Sequence, residues 1–320
     1  MADCTVPNGT TAPVDGDPTS GRTERDGVGA AWLHWGGDGP PVVLLHPNGF
    51  CAGVFDPIAR RLVDRYRVVG VDLRGHGASD DVVDEMLLGN DVLGLDVLAV
   101  ADALGLDRFA VAGVSSGGAV GIEVAAVAPE RVTALVLCEA VAIDATARVE
   151  QHFGFADGEH PLAVGALRRR DVWANRASVE ASYGSRPPLE SLDPEALAGY
   201  VRWGFRDRSD GTVELSCRPE TEAAIFGSRD RHGPVGSFEA LRRVVADGRV
   251  PIAVLAGSRT DLDAGWFTAQ ADLAGVDLQV VDGGHFCLFE DSDRGARLVD
   301  DNLRFLVSTD RRTTEGGTNP

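Results

Sequence analysis

Lysine is missing from this chain: all 30 basic residues are arginine, set against 49 Asp and Glu, for a formal charge of −19 over 320 residues. A field of that sign repels polyanions, which argues against nucleic-acid backbones and anionic membranes as main partners. The exclusive use of arginine reads as coding bias or salt adaptation and carries no mechanism. Cysteine is scarce as well. Cys4, Cys51, Cys138, Cys217 and Cys287 are odd in number and scattered, without a CxxC or a Cys/His pair at ligand spacing. Neither a disulfide framework nor a zinc site is favoured. Buried thiols in a reducing cytosol fit better. The first residues contain no basic n-region and no apolar h-region, and no apolar run reaches membrane-spanning length. The expectation is a soluble cytoplasmic protein without a membrane partner.

What is present is a globular composition, 44% hydrophobic and 25% charged, too apolar for a disordered chain. At about 150 residues per domain the length fits two domains, or one large α/β domain with an insertion. Residues 1–26 and 309–320 hold little to bury and read as frayed tails. Between them, short β-branched runs alternate with helical patterns. Ala31–Trp35 reads as an early edge strand. Strands are predicted at Val42–Leu45, Val68–Val71, Phe109–Val114, Ala134–Leu137, Ile252–Leu255 and Leu278–Val281. Helices are predicted at Phe55–Leu62, Val92–Leu104, Gly118–Ala128 and Arg294–Phe305. This alternation implies βαβ crossovers and a mostly parallel sheet. It breaks over 143–235, where helical patterns at Leu167–Tyr183, Pro194–Phe205 and Glu220–Phe226 run without strand-like stretches. The reading is a core of residues 27–142 and 236–308, with a helical insertion at 143–235.

Gly113-Val114-Ser115-Ser116-Gly117 is a G-x-S-x-G turn. Alone it is weak, since an ordinary βα turn with a capping serine has the same residues. Here an apolar strand leads in and a small-residue helix leads out, the setting that projects a nucleophilic Oγ from the end of a sheet. Small flanking residues suit a serine held in a strained backbone conformation.

Three further segments accompany it: His46-Pro47-Asn48-Gly49-Phe50, Asp72-Leu73-Arg74-Gly75-His76-Gly77, and Gly283-Gly284-His285-Phe286, each after a predicted strand. Together with the serine turn they resemble the α/β-hydrolase superfamily in its lidded, esterase- and dehalogenase-like branch, over about residues 28–308. The resemblance implies an eight-stranded, mostly parallel sheet with a helical cap inserted after the sixth strand. It implies Ser115 as nucleophile and His285 as its base. The backbone N–H groups of Asn48 and Ser116 would form the oxyanion hole. Most relatives have His-Gly where this chain has His46-Pro47; proline has no N–H, so the donor falls on Asn48. His46, His76 and Asp72 are implied to be structural, while His34, His152, His160 and His232 have no motif support.

Two carboxylates compete for the triad acid. Glu139 ends the sixth-strand run, 24 residues after Ser115, and resembles the acid of dehalogenases. Asp261 follows Ile252–Leu255, near the place most serine hydrolases use, but Thr260 occupies the usual slot and the aspartate comes one residue late; Asp263 competes with it. Glu139 is preferred by a small margin. Cys51, Cys138 and Cys287 adjoin site segments and read as packing.

A serine at the elbow speaks against the aspartate-based dehalogenases and epoxide hydrolases. The implied function is a serine hydrolase that cleaves a carboxylic ester, lactone or thioester through an acyl-enzyme, without metal or organic cofactor. The alternatives on the same triad are a C–C bond hydrolase, a cofactor-free perhydrolase or a lyase, and a third reading is a ligand-binding protein with slow turnover. The expected partner is a small apolar acyl compound; a homodimer is left open. Phe50 and Phe286 are expected on the pocket floor. Trp173 and Trp203 are expected to line it, with Tyr183, Tyr200, Phe205 and Phe226 as further candidates, against the plainer reading that these aromatics join insertion to core. Arg168-Arg169-Arg170 reads as a solvated face rather than an anion site.

Overall fold

The computed structural model describes residues 16–146, 160–228 and 232–315. Cys4, His152 and the outer parts of both expected tails lie outside the described residues. In chain order the first half runs β1 (Thr19–Arg25), β2 (Val28–Gly36), β3 (Pro41–Leu45), α1 (Asp56–Leu62), β4 (Arg67–Val71), α2 (Asn90–Ala103), β5 (Phe109–Val114), α3 (Ser116–Val127) and β6 (Val132–Cys138). An insertion follows: α4 (Pro161–Ala166), β7 (Val172–Trp173), α5 (Arg176–Tyr183), α6 (Pro194–Trp203), β8 (Phe205–Asp207), β9 (Val213–Leu215) and α7 (Pro219–Gly227). The chain then returns through α8 (Pro234–Asp247), β10 (Ile252–Gly257), α9 (Ala264–Ala274), β11 (Leu278–Val281) and α10 (Ser292–Glu315).

The main sheet has eight strands in the order β1-β2-β4-β3-β5-β6-β10-β11. β1 and β2 pair antiparallel to each other, β2 pairs antiparallel to β4, and every other pairing is parallel. The near-continuous apolar runs form the central strands because both faces are covered. With side chains alternating along each strand, Val43 and Leu45 enter the core under α2, α3, α8 and α9, while Val42 and Leu44 enter the core on the α1 and α10 side. The second core continues into the insertion through Leu197, Tyr200 and Val201 of α6, which packs on the Ala52–Phe55 turn.

Three expectations are corrected. Residues 19–25 are not a tail but the edge strand β1, held by Arg25 Nε to Asp96 Oδ1 at 2.7 Å and by an Arg22–Asp80 ion pair. Its polar sequence TSGRTER shows no alternation, because at a solvent-facing edge it buries little. At the other end helix continues to Glu315, past the predicted break at Thr309. The insertion is not purely helical: β7, β9 and β8 form a three-stranded antiparallel sheet. Strands of two and three residues are too short to leave a period-two signal.

Candidate active site

The carboxyl ends of the parallel strands converge on one cluster of turns. After β5 the chain passes through Ser115 at φ 57° and ψ −122°, then enters α3 directly. A β-carbon at Gly117 would lie 2.2 Å from the Leu45 carbonyl oxygen, so only glycine lets the turn sit this close to β3. The strained serine conformation is maintained by the strand behind it and the helix ahead. Ser116 is the first residue of α3, where N–H groups lack intrahelical acceptors. Among the described residues neither its N–H nor that of Asn48, just past β3, is engaged in a hydrogen bond.

His285 stands in the turn between β11 and α10. Its Nε2 lies 3.0 Å from Ser115 Oγ and its Nδ1 lies 2.9 Å from Glu139 Oε2. An ionised carboxylate only accepts, so Nδ1 carries the proton and Nε2 is left to accept from the serine hydroxyl. Glu139 is fully buried and, like Ser115, has a positive φ, 53°. That conformation turns its side chain from the end of β6 toward β10. There the Gly257 N–H donates to Oε1 at 2.6 Å, and the Thr260 hydroxyl donates to Oε2 at 2.6 Å. Three donors thus satisfy a carboxylate that burial would otherwise penalise.

The structure therefore brings Ser115, His285 and Glu139 together and leaves Asp261 out. Asp261 is exposed on the cavity wall, and among the described residues its side chain has no hydrogen bond to His285. Thr260 is the residue of that loop that reaches the carboxylate, one position before Asp261. Asp263 caps α9 through the Gly265 N–H at 2.8 Å and does not compete.

His46 and His76 are committed to backbone. Nδ1–H of His46 donates to the Pro47 carbonyl at 2.8 Å and Nε2 accepts from the Leu73 N–H at 3.0 Å. Nδ1–H of His76 donates to the Arg74 carbonyl at 2.9 Å and Nε2 accepts from the Gly49 N–H at 3.0 Å. Burial lowers both rings, His76 to about 4, so they stay neutral. Asp72 holds the same loops by accepting from Ala52 and Ala78 N–H groups at 2.7 and 2.9 Å. Cys51 and Cys138 are buried with thiols pushed well up, Cys51 by burial and Cys138 first by its contact with Cys287, so neither is poised as a thiolate.

A cavity of about 720 Å³ opens over Ser115 and His285. Phe50, Phe286 and Trp173 line it, as do Tyr183, Tyr200 and Phe226. Trp203 does not. It packs on Gly53 with Arg202 over its ring at 5.0 Å, and borders a separate surface groove with Phe205. Tyr200 and Trp203, three residues apart, are neighbours on α6, yet only Tyr200 reaches the cavity. Arg168 to Arg170 is not simply a solvated face. Arg169 turns inward, pairs with Glu222, and donates to the hydroxyls of Tyr183 and Tyr200 at 3.0 and 2.9 Å. Arg169, Glu222 and Thr260 are the residues that sequence reasoning missed. A threonine in the slot where an acid was expected was the only signal, and nothing marks Arg169 within its arginine run.

Residues 40–210 match a family model described as alpha/beta hydrolase fold. A pimeloyl-[acyl-carrier protein] methyl ester esterase of Methylococcus capsulatus is 31% identical over 233 residues, 67% of this chain and 85% of that protein. With the enzyme of the same name from Nitrosomonas europaea, identity is 43% over 101 residues, but the match spans only 37% of that protein. 3-Oxoadipate enol-lactonase 2 of Acinetobacter baylyi is 28% identical over 58% of this chain and 67% of that one. Among solved structures, a thioesterase domain from the curacin biosynthetic pathway superposes with a TM-score of 0.69 over 88% of this chain and 98% of that one, at 18% identity.

Proposed function

The chain belongs to the α/β-hydrolase family, and from that premise we propose that it is a serine hydrolase that cleaves a carboxylic ester, lactone or thioester by way of an acyl-enzyme on Ser115. The observation that carries this is the unbroken chain from Ser115 Oγ to His285 Nε2 at 3.0 Å and from His285 Nδ1 to Glu139 at 2.9 Å. Relatives whose names place them on methyl ester and enol-lactone bonds support the same bond class.

In this reading His285 takes the Ser115 proton as Oγ attacks the acyl carbon, and Glu139 stabilises the imidazolium that forms. The tetrahedral oxygen receives hydrogen bonds from the unengaged N–H groups of Asn48 and Ser116, assisted by the positive end of α3. His285 then protonates the leaving oxygen or sulfur, and water repeats the sequence to free the acid. The residues between β6 and α8 act as a cap, and Phe50, Phe286 and Trp173 offer an apolar wall to the acyl group. No helix among the described residues is long and apolar enough to cross a membrane. Among the described residues Cys51, Cys138, Cys217 and Cys287 are buried free thiols.

The test is labelling with a fluorophosphonate probe alongside turnover of short p-nitrophenyl esters. Both are expected in the wild type, and both should vanish in Ser115→Ala. Wild-type protein that is folded yet neither labels nor turns over any ester, lactone or thioester would overturn the proposal.

A further inference from the structure

The cap touches the oxyanion loop through side chains that the chemistry above does not use. Arg169 lies just beyond α4 and lines the cavity. It is ion-paired with Glu222 of α7 and donates to the Tyr200 hydroxyl of α6 at 2.9 Å. That hydroxyl in turn donates to the Gly49 carbonyl at 2.8 Å. On the other side of the loop, Asn48 Nδ2 donates to the Glu222 carbonyl at 3.0 Å. The core side holds the loop through His76, in the turn after β4, whose Nε2 accepts from the Gly49 N–H at 3.0 Å and lies 3.2 Å from Asn48 Oδ1. Gly49 has φ +77°, and a β-carbon there would come within 2.7 Å of Glu222 Oε1 and 2.8 Å of Arg169 Nη1, so the pair is seated directly on the loop.

We propose that Tyr200, Arg169 and Glu222 are positioning residues for the oxyanion hole: they clamp the Asn48–Gly49 segment from the cap side and so aim the Asn48 N–H at the developing oxyanion. The inference rests on the reading of Asn48 as an oxyanion donor. Pro47 supplies no N–H and the Pro47–Phe50 turn is closed by one backbone bond, Phe50 N–H to the Pro47 carbonyl at 3.2 Å. His46 Nδ1–H also holds that peptide, through the Pro47 carbonyl at 2.8 Å, and the rest of its orientation depends on what holds the Asn48 side chain and the two polar groups of Gly49. Of the four contacts on the Asn48 side chain and Gly49, two come from the cap and two from His76. Glu222 fits the geometry only while Arg169 pairs with it, because an unpaired buried carboxylate would have to move or protonate. Arg169 thereby acts at one remove: it fixes the helix that bonds Asn48 and the tyrosine that bonds Gly49.

An N–H that has drifted from the oxyanion costs the transition state and not the bound ester. Tyr200→Phe keeps the ring and deletes only the hydroxyl. It is expected to lower kcat on a p-nitrophenyl ester by about 10- to 100-fold with KM within about twofold, below the full loss of one oxyanion donor. Affinity for a matching trifluoromethyl ketone, whose hemiketal oxygen occupies the same hole, should fall by the same factor as kcat/KM. Arg169→Met should show the same parallel loss, and Arg169→Lys, which keeps the charge against Glu222, should recover part of it. Full kcat in Tyr200→Phe, or a loss of kcat with unchanged ketone affinity, would overturn the clamp. Should Tyr200→Phe not fold, Arg169→Lys against Arg169→Met gives the same two readings. The parent proposal fails differently, by absence of fluorophosphonate labelling in the wild type, whereas failure of the clamp alone leaves wild-type labelling and turnover intact.

Discussion

Glu139 is the residue on which the site's electrostatics turn. It is fully buried, and the three donors around it are Gly257 N–H, Thr260 hydroxyl and His285 Nδ1–H. Glutamine at this position keeps the volume but presents an amide N–H₂ to one of those donors and no charge to the imidazolium. Glu139→Gln is expected to lower kcat on p-nitrophenyl butyrate by about three to four orders of magnitude. Asp261→Asn should change it by less than about threefold, since Asp261 faces the cavity without bonding His285. Equal losses in the two variants would contradict the assignment. Thr260→Val removes one donor of three and should cost on the order of 1 kcal/mol, read as a modest fall in kcat with the fold intact.

At the level of elements, two junctions carry testable consequences. Elbow geometry requires α3 to begin against β3, and the Leu45 carbonyl leaves no room for a β-carbon at Gly117. Gly117→Ala should therefore reduce both the melting temperature and the rate of fluorophosphonate labelling, the latter by more than stability alone explains, because the turn that must yield is the one that aims Ser115. The other junction is the sheet edge. A chain shortened to begin after residue 26 loses β1, exposes the pairing edge of β2, and leaves the buried Asp96 with Arg74 but without Arg25. Compared with a chain that begins at residue 16, it is expected to melt several degrees lower and to aggregate on heating. Coincident melting curves for the two would show that β1 adds nothing to the sheet. The same strand shows why edges are hard to read from sequence. Its registration is set by backbone pairing with β2 and by arginines reaching other elements, neither of which leaves an apolar period in seven residues.

For the molecule as a whole, pH acts through groups buried between layers. Glu123 lies between α3 and α8, accepts from the Ser237 hydroxyl at 3.0 Å, and is pushed up to about 7, chiefly by burial. The folded chain thus binds this proton more tightly than the unfolded chain, whose glutamate titrates near 4.5. The contribution to stability is complete below that value and is lost as pH rises through about 7. Urea unfolding at pH 5 and pH 8 should show the wild type losing on the order of 2 kcal/mol relative to Glu123→Gln between the two. A difference that does not depend on pH would place the ionisation elsewhere.

Apolar runs flanked by small-residue turns determined the interior strands β3, β4, β5 and β10 closely, because a strand buried on both faces must be apolar throughout. The serine elbow and the histidine turn were equally legible, since their chemistry is local: a nucleophile needs a tight turn, and its glycines stand beside it in the chain. What only the tertiary structure decided are relations between distant residues. Whether Glu139 or Asp261 faces His285 depends on a positive φ past β6 and on how the loop after β10 approaches it. Whether Trp173 or Trp203 meets the cavity depends on the rotation of short elements in the cap. Arg169 looked like one of three solvated arginines, and became a partly buried contact of Glu222 and Tyr200 only when α4, α6 and α7 closed around it. Local conformational demands are written in consecutive residues; the contacts that tune the site are set by packing between elements, which no stretch of sequence encodes alone.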